Sequence, residues 1–380
     1  MTISTGDQAA KLLEKRNTFL ALVRKYPGIS RQECAETMRV STFYASKLVP
    51  ELVKEGMVTE AEPGGKTIGR GRPSKPLHID PEYEYFAGID LEASTWRFVI
   101  TDFQGNCIFS LIKTFHQCAS REEYLTQLEK LLHDAIKQSG SRWSKVKSIG
   151  IGAPGFLNLE TGVIEKYEIL PEFNRIPLRN IYQKISGKET FICHNIDNLS
   201  IYDLQKRPEA EKLSVLHVAL RSGISSALSL NGSIYRGSKG LAGEIGLSLS
   251  IDNRTLQNTA GLHTLQERLP DLPESFWAGD AKIVEKKLLH KETCEVLRQA
   301  MELTAIALAN VAIFIDPDEI IIYSRLFPSE NKLWQMLIEQ FAGCRKKQGF
   351  NPDIIRLSAS SELTPAIGAA IYAIENSYKV

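Results

Sequence analysis

From Asn17 the apolar residues Phe19, Leu20, Leu22 and Val23 recur at helical spacing and stop at Pro27-Gly28, a pair that punctuates regular structure. Ser30-Arg31-Gln32-Glu33 then has the form of a capping box, with Ser30 serving free backbone donors and Glu33 returning the bond. A short second helix follows from it, with Cys34, Ala35 and Met38 inward. After Arg39-Val40, Ser41 can cap a third helix in which Ala45, Leu48, Val49, Leu52 and Val53 line one buried face. Thr42, Phe43, Ser46 and Lys47 are left outward. Pro50 removes one backbone donor and clashes one turn back, so a kink or restart is expected there. Met57-Val58-Thr59-Glu60 starts a strand, and Gly64-Gly65 suggests a winged hairpin.

Beyond Pro81 strands and helices alternate. Residues 85–89, 97–102 and 107–113 read as strands, 121–139 as an amphipathic helix and 148–151 as a buried strand. A second set runs from Val215, with a long buried helix at 297–314, a strand at 319–323 and a final helix opened by Thr364-Pro365. The pattern is that of an α/β body behind an all-α and winged N-terminal module.

Size and charge narrow this picture. A chain of 380 residues with 43% hydrophobic content should divide into two or three compact units. There is no run of about 18 apolar residues and the N-terminus is charged, so a cytoplasmic protein with no membrane partner is expected. Cys34, Cys107, Cys118, Cys193, Cys294 and Cys344 are scattered without a CxxC pair, which suits reduced thiols and predicts no metal site. The net charge of +1 means that affinity for nucleic acid must come from local clusters.

Two such clusters exist. Two short helices joined by a tight turn, the second with a polar outer half, form a helix-turn-helix pattern; the alternative is a generic three-helix bundle. Residues 66–75 are basic, glycine-broken and without bulky side chains, so they should be extended. Their Arg-Gly-Arg-Pro is similar to an AT-hook core that lays guanidinium groups along a narrow minor groove; the alternative is a solvated hinge. Ser41, Thr42, Phe43, Ser46, Lys47, Arg70, Arg72 and Lys75 are the expected DNA contacts, with operator DNA as the partner.

Residues 216–247 read as strand, turn and strand before a glycine-spaced loop presenting Glu244. With Gly150-Ile151-Gly152-Ala153-Pro154-Gly155, Glu160-Thr161-Gly162-Val163-Ile164, Leu170-Pro171-Glu172-Phe173, Asp316-Pro317-Asp318 and Ile367-Gly368-Ala369-Ala370, this stretch resembles the ROK family. That family comprises sugar kinases and sugar-responsive repressors built on the actin-like ATPase (ribonuclease-H-like) fold. The resemblance covers the whole span from about Phe86 to Tyr378, most of the chain, and implies a two-lobed body. Residues 1–65 are then a winged helix-turn-helix domain, 66–82 a basic linker, 83–198 with 365–380 a small lobe and 199–364 a large lobe.

The resemblance also shows what a sugar kinase would lack here. The family's Asn-Asp-Ala-Asn becomes Asn195-Ile196-Asp197-Asn198, with Ile196 at the catalytic-base position and an aspartate one residue late. The first phosphate loop, Asp-x-Gly-Gly-Thr, becomes Asp90-Leu91-Glu92-Ala93-Ser94-Thr95, where Glu92 should repel a nucleotide. The second loop keeps one of its glycines; its Arg221 could attract an anion, the preferred alternative being a solvated turn residue. Thr255, Gln257 and Leu262 stand at the family's zinc-cysteine positions, Leu247 at its histidine, and Thr264 at a sugar-binding glutamate. The resemblance implies a non-enzymatic regulator without cofactor, sensing a carbohydrate or sugar derivative through Gly155, Asn195, Asp197 and Glu244. A homodimer is expected, with association into tetramers left open. The rivals are an active sugar kinase with an appended DNA module and a regulator answering to a partner protein.

Overall fold

The computed structural model describes residues 5–62, 75–93, 95–114, 120–167, 169–170, 174–250 and 252–378, with side chains from residue 11 onward. The N-terminal module opens with α1 (Thr5–Lys25), α2 (Arg31–Thr37) and α3 (Thr42–Lys54). The capping box is formed, with Glu33 N donating to Ser30 Oγ at 3.2 Å and Ser30 N to the Glu33 carboxylate at 2.8 Å. Ser41 caps α3 by accepting from Tyr44 N at 3.2 Å. The expected break is absent: α3 runs unbroken through Pro50. Pro50 lies on the exposed face, so the carbonyl left without a helical donor one turn back need not be buried. Val53, expected inward, is also exposed, and the buried face is Ala45, Leu48, Val49 and Leu52.

The wing differs from its reading in where it closes. Strand β1 (Val58–Glu60) pairs antiparallel with β2 (Leu77–Ile79), in the register Val58↔Ile79, Thr59↔His78, Glu60↔Leu77. The returning strand is thus drawn from residues that the basic composition assigned to the linker. Leu77 and Ile79 turn inward on either side of His78, an alternation too short to read beside so many basic residues. Gly64-Gly65, Arg70 and Arg72 lie outside the described residues.

The body contains one topology twice. The first sheet has the order β5-β4-β3-β6-β9, from β3 (Tyr85–Leu91), β4 (Thr95–Thr101), β5 (Cys107–Thr114), β6 (Val146–Ala153) and β9 (Glu189–His194). Between these run α4 (Arg121–Ser139), the small hairpin β7 (Phe156–Asn158) and β8 (Val163–Lys166), and α5 (Leu178–Ser186). Helix α6 (Asn195–Lys206) then leads to the second sheet. Its order is β12-β11-β10-β13-β14, from β10 (Ser214–Leu220), β11 (Ile224–Leu230), β12 (Ser233–Tyr235), β13 (Glu319–Ser324) and β14 (Ile355–Leu357). In both sheets a three-stranded antiparallel meander is extended by two parallel strands. The paired repeat is the ribonuclease-H-like, actin-like arrangement.

The second half is filled out by four short helices, α7 (Gln257–Ala260), α8 (Leu262–Arg268), α9 (Glu274–Trp277) and α10 (Ala281–Lys287). They are followed by α11 (Lys291–Ile315), α12 (Lys332–Gln348) and α13 (Thr364–Ser377). Helix α11 is long and apolar enough to cross a bilayer, but its Leu297, Met301, Ala305 and Leu308 lie in the core of the second half. Its other face is open: Ile306, Ile313 and Phe314 are exposed, so the helix is buried on one side only.

Two helices join the halves. Helix α6 buries Ile196 and Leu199 against Val215 and Ala219 of β10, so the lobe boundary read at residue 198 falls within one continuous helix. Helix α13 lies so close to the first sheet that a Cβ at Gly150 would stand 1.8 Å from Ala369 O, and one at Gly368 would stand 1.9 Å from Asn198 O. Its Ala366, Ala370 and Ile374 share one apolar cluster with Phe19, Leu52 and Leu77 of the N-terminal module. The last turn of α1 is held by glutamines of the body: Gln104 Nε2 donates to Arg24 O at 2.7 Å and Gln205 Nε2 to the same oxygen at 3.4 Å.

Candidate ligand cleft and nucleic-acid surface

The two halves meet in a cleft reached by one loop or element end from each side. Gly155 lies between β6 and β7 with φ +79°, and a Cβ there would stand 2.3 Å from Lys166 O, so only glycine lets this loop cross the end of β8. Asn195 begins α6, where the free backbone donors of a helix N-terminus point outward. Glu244 precedes a short turn at Ile245–Leu247. Gly155, Asn195 and Glu244 all line the cleft, with Ile196 and Leu247 as apolar wall.

Asp197, read from the sequence as a fourth ligand residue, does not line this cleft. It is buried on α6 and ion-paired with Arg236 in a small neighbouring cavity shared with His194 and Glu244. Successive helix residues diverge by about 100°, so a carboxylate one position late faces elsewhere. The residue at the base position itself, Ile196, packs into the apolar cluster against β10. Burial, then the nearby Asp197 charge, raises the Glu244 pKa. Burial lowers that of His194, against the opposing pull of Asp197, which favours a neutral imidazole beside the cleft.

The floor between the two phosphate-loop positions is filled by the protein's own charges. Arg97 Nη1 lies 3.1 Å from Asp90 and 2.6 Å from Glu92, while Arg221 Nη2 lies 2.6 Å from Asp90 and 2.7 Å from Glu92. Asp90 and Glu92 come from the end of β3, Arg97 from β4 and Arg221 from the β10–β11 turn, so the cluster bridges the halves. Arg221 is therefore not the solvated turn residue expected: its side chain is 13% exposed and doubly paired. Nor does Glu92 stand as an unpaired repulsive charge. Burial opposes the Glu92 charge, but Arg221 and Arg97 outweigh it and hold the carboxyl below its usual range. Burial likewise opposes the Arg221 charge and is outweighed by Asp90 and Glu92.

Where the family would carry zinc, other contacts hold the loop. Leu256 and Leu262 enter the core of the second half, and Ser250 N donates to Arg254 O at 2.9 Å. Thr264 donates to Gln257 O at 3.2 Å and does not line the cleft, whereas Gln257 does. Among the described residues, no group of three histidine, cysteine, aspartate or glutamate side chains is arranged to hold a metal ion.

His194, Lys166, Tyr167, Arg221, Glu92 and Gln257 also line the cleft, though none was read as a ligand residue. His194 and Tyr167 had a signal in their positions, one residue before Asn195 and a few after the hairpin of Gly162. Arg221 and Glu92 were marked by their phosphate-loop positions, but not their pairing, which joins residues about 130 positions apart.

On the opposite part of the chain, Thr42, Phe43, Ser46 and Lys47 are exposed along α3, and Lys47 Nζ lies 4.7 Å from the centre of the Phe43 ring. Ser41 is exposed too, but its hydroxyl is engaged in the cap. Lys75, at the foot of the wing, pairs with Glu62 at 3.0 Å.

The chain as a whole is similar to known proteins. The chain is 24% identical over 343 residues to a putative xylose repressor of Caldicellulosiruptor sp. (strain Rt8B.4), covering 82% of this chain and 83% of that one. It is 22% identical over 387 residues to the xylose repressor of Bacillus subtilis (strain 168), covering 98% and 97%. A crystal structure of a ROK family transcriptional regulator, a homologue of the E. coli MLC protein, superposes with a TM-score of 0.74 at 16% identity, covering 97% of both chains. The family model described as ROK family matches residues 86–261, so this part of the chain is a ROK family domain.

Proposed function

We propose that this protein is a transcriptional repressor that binds operator DNA through its winged helix-turn-helix and responds to a small sugar or sugar derivative held in the cleft. Full-length similarity to xylose repressors supports the regulatory role and makes xylose the first sugar to test. The observation that carries the reading against a kinase is the filled floor of the cleft. An ATP phosphate chain would have to displace four interlocked charges, and Ile196 offers no base to the sugar hydroxyl. Neutral hydroxyls, by contrast, find acceptors and donors in Glu244, Asn195 and Gln257 without disturbing that cluster.

Helix α6 gives the cleft a route to the DNA. Its first residue, Asn195, lines the cleft and its Gln205 reaches the end of α1, about 15 Å apart at the rise of an α-helix. A ligand that prefers one closure of the halves shifts α6 and with it the seat of the N-terminal module. A homodimer would present two modules to paired half-sites about 34 Å apart, and a tetramer built from it two such pairs. Arg70 and Arg72 are proposed to follow the minor groove beside α3, and the protein is proposed to work in the cytoplasm.

A thermal-shift screen against pentoses, hexoses, their phosphates and ATP with magnesium tests the proposal, combined with anisotropy of labelled upstream DNA. The expected outcome is a rise with one sugar, a change in DNA affinity at the same concentration, and no response to ATP with magnesium. Sugar-dependent release of ADP would sink it in favour of the kinase.

A further inference from the structure

A second cavity, of about 370 Å³ against about 90 Å³ for the cleft, lies where α1 meets the body. It is walled by the last turn of α1, by α6 and α13, and by the turn and strand around Ser233. Arg24 of α1 dominates its chemistry. The Arg24 side chain is 8% exposed and its Nε has no hydrogen-bond partner. The carboxylate facing it, Glu375, stands 3.9 Å from Nη2, beyond hydrogen-bonding distance. A guanidinium presents five donors and keeps its charge when buried, so leaving it short of acceptors is unfavourable. Burial lowers the Arg24 pKa, with Glu375 acting the other way.

Two further cations reach the same space. Lys25 is held by Glu211 and Arg236 by Asp197, so both line the cavity as parts of ion pairs. Arg24 alone lacks a hydrogen-bonded carboxylate among these three. Glu211 and Glu375 also line the space, Glu375 being the carboxylate that faces Arg24.

We propose that this junction is a second ligand site, for a small phosphoryl-bearing metabolite whose phosphoryl group is held by Arg24. Guanidinium groups suit phosphoryl oxygens because planar donors meet several acceptors at once. A ligand here touches α1 of the DNA-reading module together with α6 and α13 of the body, so its occupancy sets how firmly the module is seated. Arg236 lines both this cavity and the small one containing His194 and Glu244, which places the junction one ion pair away from the sugar cleft.

The test is a titration of the full chain with inorganic phosphate at constant ionic strength, followed by calorimetry and thermal shift, with acetate as the comparison anion. Phosphate should raise the melting temperature by about 2 °C or more at saturation, and acetate should not. Arg24→Gln should weaken phosphate binding at least tenfold. Ser233→Glu, an exposed position on the wall of the cavity, should do the same by adding a like charge, and decides the matter if Arg24→Gln does not fold. Lys332→Ala, exposed at the start of α12 and away from the cavity, should leave it unchanged. No response to phosphate, or equal binding by the wild type and both cavity variants, would overturn the proposal and leave Arg24 and Glu375 as a structural pair.

Discussion

His217 lies on β10 with no exposed surface, its Nδ1 3.2 Å from the Tyr323 hydroxyl. Burial, with Asp203 opposing and Arg207 and Arg356 assisting, lowers its pKa from 6.5 to about 4. Between these values the unfolded chain binds a proton that the native state refuses, so stability is intact above pH 6.5 and lost as the pH falls toward 4. Urea unfolding at pH 7.5 and pH 5.0 should register a loss of about 2 kcal/mol from this group, and His217→Gln should remove that part of the slope. An unchanged slope in the variant would place the proton elsewhere. At this scale the sequence was legible where a side chain is missing and illegible where partners are remote. Ile196 and Leu247 could be read directly against a known motif. Arg221 could not, because its partners Asp90 and Glu92 lie about 130 residues earlier, in the other half of the body.

Among the elements, two glycines respond to the same substitution with opposite signs. Gly150 on β6 has Ala369 O where a Cβ would be, 1.8 Å away, and α13 cannot retreat without opening its contacts to α6. Gly150→Ala should cost about 3 kcal/mol or more, or abolish folding. Gly343, exposed on α12, has nothing within 4 Å of its Cβ position. There, replacement by alanine should stabilise by about 1 kcal/mol, since it removes only backbone entropy. Thermal melts of both variants check the contrast, and a destabilised Gly343→Ala would refute the open-space argument. The same elements explain which boundaries were readable. β3, β4, β5, β6, α4 and β13 follow strong periodicity or capping signals and fall within a few residues of their predicted ends, and α13 starts where Thr364-Pro365 predicts. β2 is three residues long beside a basic stretch, and Pro50 sits in a helix kept whole by the packing of Leu48, Val49 and Leu52.

Across the whole molecule the Asp90, Glu92, Arg97 and Arg221 cluster is the polar tie between the halves, while α6 and α13 are the apolar ones. Removing one member leaves buried carboxylates short of partners, and Arg221→Met should destabilise the fold by about 3 kcal/mol. Adding Glu92→Gln should recover part of that loss, because the two residues act through one interaction. A double-mutant cycle measures the recovery, and strict additivity would mean that the bridge contributes nothing to closure.

The sequence by itself determined the winged helix-turn-helix, the duplicated α/β body and the apolar side chains of Ile196 and Leu247 at their motif positions. These depend on local spacing, capping and motif positions, which are properties of neighbouring residues. Only the tertiary structure decided that Asp197 leaves the cleft for Arg236, that Arg221 fills it, and that Arg24 meets a cavity shared with α6 and α13. Those outcomes turn on which distant side chains share a low-dielectric space, and chain order does not encode that proximity in any local pattern.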